Sequence, residues 1–196
     1  LDLEANSLTK PTKIWCLVFK DIDTGEYHIC RNVTDDELER NKATGILQKA
    51  TYLVGHNIIG YDLPVISSLL GIEYTGDVID TLIVSKLVAY SNRRKHSIEG
   101  YGEEFGLEKI KFNDWTKWPQ EMEDYCVRDT DIAHRIYNHY IRIIDDPSWR
   151  MSLRTEHDFE HFVTNDLHRN GFAFNDTRAK SLLDKVLKDL EALDKE

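Results

Sequence analysis

An α/β layered domain is the fold class this sequence predicts, and three observations predict it. Two β-branched, aromatic and apolar runs near the start, Lys13–Lys20 and Glu26–Cys30, flank the turn Asp23-Thr24-Gly25 and read as a hairpin. Two short runs, Thr51–Val54 and Asp77–Ile79, return to strand character between helical segments. Helical patterns then dominate from residue 97 onward. Strands first and helices later, with a strand returning in between, give a sheet layered with helices.

Each helix has its own local reason. Thr34–Lys49 carries Leu38, Ile46 and Leu47 among charges. Tyr61–Leu70 tolerates Pro64 because the proline falls in the first turn. Asp80 or Thr81 caps a helix that runs to about Ala89. Ser97–Phe105 is a short helix ended by Gly106, and Pro119–Ile144 is a long one. After Asp145-Asp146-Pro147 the character changes: Trp149–Arg169 is helical, Asn170-Gly171 is a turn, and from Thr177 apolar residues form one helical stripe through Leu193. The division expected is a domain over residues 1–146 and a helical segment over 147–196. Residue 1 falls on a motif-bearing strand and the final helical pattern runs on without a cap, so the chain is expected to be part of a longer protein.

Composition narrows the classes. The 196 residues are 41% hydrophobic and 31% charged, which is globular rather than disordered. No signal-peptide pattern and no long apolar run are present, so no membrane partner and a cytoplasmic location are expected. Cys16, Cys30 and Cys126 are odd in number and widely spaced, which fits reduced thiols and neither a disulfide framework nor a zinc site. The net charge of -10 opposes binding to phosphates, unless acidic clusters load divalent cations and reverse the local sign. The basic run Arg93-Arg94-Lys95-His96 reads equally as a solvated loop or as a contact to a nucleic-acid backbone.

Three carboxylate patterns carry chemistry. Asp2 and Glu4 are two apart, so on a strand both side chains leave one face while Leu1 and Leu3 leave the other. In Gly55-His56-Asn57-Ile58-Ile59-Gly60-Tyr61-Asp62 a loop leads from a strand to an aspartate at a helix start, and taken alone Asp62 reads as an N-cap. Tyr125 and Asp129 are four apart in a helix and share a face.

Taken in order, D-x-E, N-x-x-x-Y-D and Y-x-x-x-D resemble the three exonuclease motifs of the DEDD superfamily with tyrosine in the last motif. Asp2-Leu3-Glu4-Ala5-Asn6, Ile79-Asp80-Thr81-Leu82, His96-Ser97-Ile98-Glu99 and Asn170-Gly171-Phe172-Ala173-Phe174-Asn175 resemble bacteriophage family A DNA polymerases, and the resemblance spans nearly the whole chain. Tyr125-Cys126-Val127-Arg128-Asp129 also suits family B, as does the form of the second motif. The short distance to Asn170–Asn175 and the helix after it favours family A.

The resemblance implies a ribonuclease H-like exonuclease fold: a mixed central sheet flanked by helices, followed by the helical start of a polymerase region. It implies 3′→5′ proofreading hydrolysis of single-stranded or frayed DNA ends, with the polymerase domain of the same full-length chain and a single-stranded DNA 3′ end as partners. A phage-encoded chain would act in the host bacterial cytoplasm. No pattern specifies a processivity partner. Two divalent ions, Mg2+ or Mn2+, are the implied cofactors, and such hard ions take oxygen ligands. Asp2 would bridge both ions, Glu4 and Asp129 would complete one site, and Asp62 would reach the second partly through water. Tyr125 would orient the attacking water; an unperturbed phenol titrates near pH 10, which makes it a poor base. Leu8 and Tyr61 are wedge and stacking candidates at the 3′ end. His56 and Asn57 are contacts for the terminal nucleotide, although turn-making explains Asn57 as well. Arg93 and Arg94 are candidates for the DNA backbone. His96 reads as closing a helix start, and Phe112, Trp115 and Trp118 as satellite core or a base-stacking cluster. A ribonuclease D-like RNA trimming enzyme shares the same chemistry, and an inactive exonuclease-fold scaffold module is the non-enzymatic alternative.

Overall fold

The computed structural model describes residues 1–91, 95–107, 110 and 118–194. Its elements in chain order are β1 Asp2–Ala5, β2 Ile14–Lys20, β3 Tyr27–Arg31, α1 Glu37–Lys49, β4 Tyr52–Gly55, α2 Asp62–Leu70, β5 Asp77–Asp80, α3 Thr81–Ala89, α4 Ile98–Phe105, α5 Gln120–Ile144 and α6 Arg150–Phe162. A π-helical turn, Val163–Leu167, and a single turn α7, His168–Asn170, lead to α8, Asp176–Leu193. The chain is mixed α/β, and the expected strands and helices form within a few residues of their sequence bounds.

β1, β2 and β3 form an antiparallel meander, and β4 pairs with β5 in parallel. The Leu1 nitrogen donates to the Val54 carbonyl at 2.8 Å, which brings the start of β1 alongside β4. Alternation along the strands divides the molecule into layers. Leu3, Leu17, Phe19 and Cys30 face one side and form the main core with Ala43 and Leu47 of α1 and Val65 and Ile66 of α2. Cys16 and Val18 face the other side and pack on Met122 and Cys126 of α5. A third cluster joins α3, α4 and α5 through Val84, Tyr101, Ile132, Ile136 and Tyr140, with Leu153 of α6 packed against it.

Local chemistry sets the element ends. Asp36 caps α1 by accepting from Leu38 N and Glu39 N. Ser97 caps α4 by accepting from Gly100 N, and Gly106 closes that helix at φ 66°, the left-handed conformation glycine adopts without strain. His96 precedes that cap, and its Nδ1 pairs with Ser85 Oγ at 2.7 Å, tying α3 to the approach to α4. Trp118 packs on the α5 side of the sheet as satellite core, while Phe112 and Trp115 lie outside the described residues. The α8 stripe forms as its spacing requires, and Leu182, Leu183, Val186, Leu187, Leu190 and Leu193 are exposed.

Candidate active site

Asp2 and Glu4 leave β1 on the face that carries Cys16 and Val18, their neighbours across the strand pair: Asp2 is opposite Val18 and Glu4 opposite Cys16. That face lies beneath α5. Two contacts fix the register of α5 on β2. Cys126 packs against Cys16, and Lys20 Nζ donates to Asp131 Oδ1 at 2.7 Å. Asp129, which is buried, lies between these points on the helix, as Val18, the partner of Asp2, does on the strand. Near the start of α5, Glu123 accepts two bonds from the Arg31 guanidinium, at 2.5 and 2.7 Å, and pins the helix to β3. Ligand atoms of Asp2, Glu4 and Cys126 lie within 4.8 Å of one another.

Asp62 enters from the loop after β4, whose Val54 carbonyl accepts from the Leu1 nitrogen beside Asp2. It is the first residue of α2 and is buried, and the N-cap position belongs to Tyr61, which makes no side-chain capping bond. The capping account of Asp62 therefore does not hold. Burial raises its carboxyl well above the usual range, the Asp2 charge adds to this, and the Leu1 ammonium pulls the other way. Tyr61 is pushed up to about 12 by burial and then by Asp62, Glu4 and Asp2. The D-x-E pair and Asp62 thus share one electrostatic environment. Glu4, Asp62, Tyr125 and Asp129 are all buried, and Asp2 is half-buried.

The remaining candidates divide. Tyr61 Oη donates to the Ser7 carbonyl at 3.0 Å, which braces the turn after β1. Leu8, beside Ser7, is 82% exposed, as a wedge would be. His56 pairs with Thr81 Oγ1 through Nδ1 at 2.9 Å, and Asn57 is exposed with φ 64°. The left-handed backbone at Asn57 supports its turn-making role. Lys95 pairs with Glu103 at 3.0 Å. Arg93 and Arg94 lie outside the described residues.

Sequence reading passed over two features. Asp80 bonds to the loop before Asp62 as well as capping α3, and Cys16 and Cys126 adjoin the carboxylates. Glu4 and Cys16 being cross-strand partners requires the pairing register, which no local pattern carries.

The donor set fits hard divalent cations. Several acids gathered at one place, mostly buried, repel one another and resist ionisation, and oxygen-binding cations relieve both costs. Cys126 adjoins Asp2 and Glu4, but burial raises its thiol well above the usual range, which keeps the sulfur protonated and favours coordination by the oxygens. A stability prediction follows from the same imbalance. Asp62→Asn is expected to raise the melting temperature of the metal-free chain at neutral pH, by roughly 2–4 °C for each kcal/mol recovered. A carboxyl raised in the folded state costs stability as pH climbs from the unfolded carboxyl's range toward the raised one, and the amide carries no charge to penalise. Mn2+ should then stabilise the wild type more than the variant. Thermal melts with and without Mn2+ check both halves, and an unchanged or lowered metal-free midpoint contradicts the electrostatic account.

Compared with known proteins, the chain matches no family model and no curated sequence.

Proposed function

We propose that this chain is a 3′→5′ exonuclease of the ribonuclease H-like kind, the proofreading part of a family A DNA polymerase, hydrolysing the 3′-terminal phosphodiester of single-stranded or frayed DNA to release nucleoside monophosphates. The observation that carries the reading is convergence. Asp2 and Glu4 of β1 gather with Cys126 of α5, Asp62 at the start of α2 feels the Asp2 charge, and Asp129 is buried on α5 three residues from Cys126, on the same helical face. The meander of three strands, the parallel β4–β5 pair and the Leu1–Val54 bond between them are consistent with the mixed central sheet that the resemblance implies.

Asp2, Glu4, Asp62 and Asp129 would hold two divalent ions, Mg2+ or Mn2+. Such ions, when bound, supply activation of a water at neutral pH and charge stabilisation at the departing 3′ oxygen. Tyr125 lies one helical turn from Asp129 on the buried face of α5, where its hydroxyl can hold and orient that water. Leu8, at the tip of the braced turn, would separate the terminal nucleotide from its neighbour. His56, Asn57 and the Tyr61 ring would line the approach, and the α6–α8 segment would open the polymerase region. No helix among the described residues is long and apolar enough to cross a membrane.

A time course with 3′-blocked and free single-stranded DNA, beside a matched RNA, tests polarity, substrate and activity together. Mononucleotide release from free DNA ends in the presence of Mg2+ is expected. Release from RNA alone would favour the ribonuclease D-like reading, and no release with any divalent ion would leave a scaffold module. Binding should also report the acidic surface. With a net charge of -10, the chain should bind single-stranded DNA weakly, with a shallow salt slope, and better with a divalent ion. Few phosphate contacts mean little counterion release. A steep slope in the absence of metal would contradict this.

A further inference from the structure

We propose that Asp80 is a positioning residue for the carboxylate centre, holding the loop between β4 and α2 so that Asp62 stays directed at Asp2; this rests on the metal-dependent reading above. Asp80 is 1% exposed and ends β5. Its Oδ1 accepts from Leu82 N at 2.9 Å, the bond of an ordinary N-cap on α3. The same oxygen accepts from Asn57 N at 2.9 Å, and Oδ2 accepts from Ile59 N at 3.2 Å. Capping needs one acceptor, and a hydroxyl serves it almost as well. A buried carboxylate is costly unless its oxygens are satisfied, and here two of three donors come from the loop rather than from the helix.

That loop is tightly folded. A Cβ at Gly55 would sit 2.7 Å from the Ile58 Cβ, so glycine is required there. Asn57 takes a left-handed conformation. Tyr61 N donates to Asn57 O at 2.9 Å and Leu63 N to Ile58 O at 3.0 Å, so the two ends of the Asp62 peptide unit inherit the position of the segment Asp80 grips. Thr81 adds a second hold: its hydroxyl donates to Gly55 O at 3.1 Å, which leaves it to accept from His56 Nδ1. The Asp80 backbone is fixed in turn from α6. Its N–H donates to His157 Nε2 at 2.9 Å, while His157 Nδ1 donates to Leu153 O at 2.7 Å.

Asp80→Ser separates the two roles, because serine keeps the cap on Leu82 but is too short to reach Asn57 and Ile59. Amide hydrogen exchange, Mn2+ calorimetry and steady-state hydrolysis of a single-stranded oligonucleotide are compared in wild type, Asp80→Ser and Asp80→Asn. In Asp80→Ser the Asn57 and Ile59 amides should exchange faster while α3 keeps its protection. Mn2+ affinity should fall about 10- to 100-fold, the usual effect of losing a group that orients metal ligands. The loss in hydrolysis should appear in kcat rather than in KM for DNA. Asp80→Asn keeps the cap and one loop bond, so it should fold and recover part of the affinity. Wild-type Mn2+ affinity and wild-type protection at Asn57 and Ile59 in Asp80→Ser overturn the proposal while leaving the exonuclease reading untouched. Mn2+ binding without hydrolysis by the wild type overturns the exonuclease reading, and the affinity difference still decides the role of Asp80.

Discussion

Replacing Asp2 and Glu4 together by alanine is expected to leave the fold intact and to lower nuclease activity by orders of magnitude. The two side chains leave the α5 face of β1, whereas Leu3 (4% exposed) fills the main core from the other face. Backbone pairing of β1 with β2 does not depend on either carboxylate. Taking away two acids that share a site with Asp62 also removes repulsion, so stability should hold or rise. Circular dichroism beside a nuclease assay reads out both properties. Near-normal hydrolysis by the folded double variant would remove the site assignment.

The second large effect separates roles on α5. Asp129→Ala is expected to impair divalent-ion binding and hydrolysis together, whereas Tyr125→Phe should lower the rate markedly and leave ion binding nearly unchanged. A carboxylate would be a metal ligand; a phenol hydroxyl only positions the nucleophilic water. Phenylalanine keeps the buried ring of Tyr125 and loses only the oxygen, so packing is conserved. The acids nearest Asp129 on α5 are otherwise engaged or exposed. Asp131 is engaged by Lys20 and by the Tyr27 hydroxyl, and these bonds hold its carboxyl below the usual range despite its partial burial. Asp124 is exposed and accepts from Gln120 at 3.4 Å. Mn2+ titration by calorimetry, with single-turnover hydrolysis of a short oligonucleotide, distinguishes the two variants. Loss of metal in Tyr125→Phe, or wild-type affinity in Asp129→Ala, would invert the division of labour.

What the sequence by itself determined is local. Period-two and period-3.6 patterns located the strands and helices, and Asp80, Ser97 and Gly106 marked helix ends, because these signals act within one turn or one strand. The same periodicities put Asp2 with Glu4 on one face and Tyr125 with Asp129 on another. Tertiary structure decided which faces meet. Asp129 and Asp131 are two residues apart on α5, yet Asp131 is half-buried and engaged by Lys20 of β2 while Asp129 is buried, and only the seating of helix on strand makes that distinction. Asp62, which taken alone reads as a cap and by resemblance as a metal ligand, is a buried acid that feels the Asp2 charge, because α2 follows β4, whose Val54 carbonyl accepts from Leu1 beside Asp2. Asp80, an expected cap, was one and also grips Asn57 and Ile59, 23 and 21 residues away. A hydrogen bond across such a separation leaves no period in the sequence; it exists only once β4 and β5 have paired and brought the two loops together.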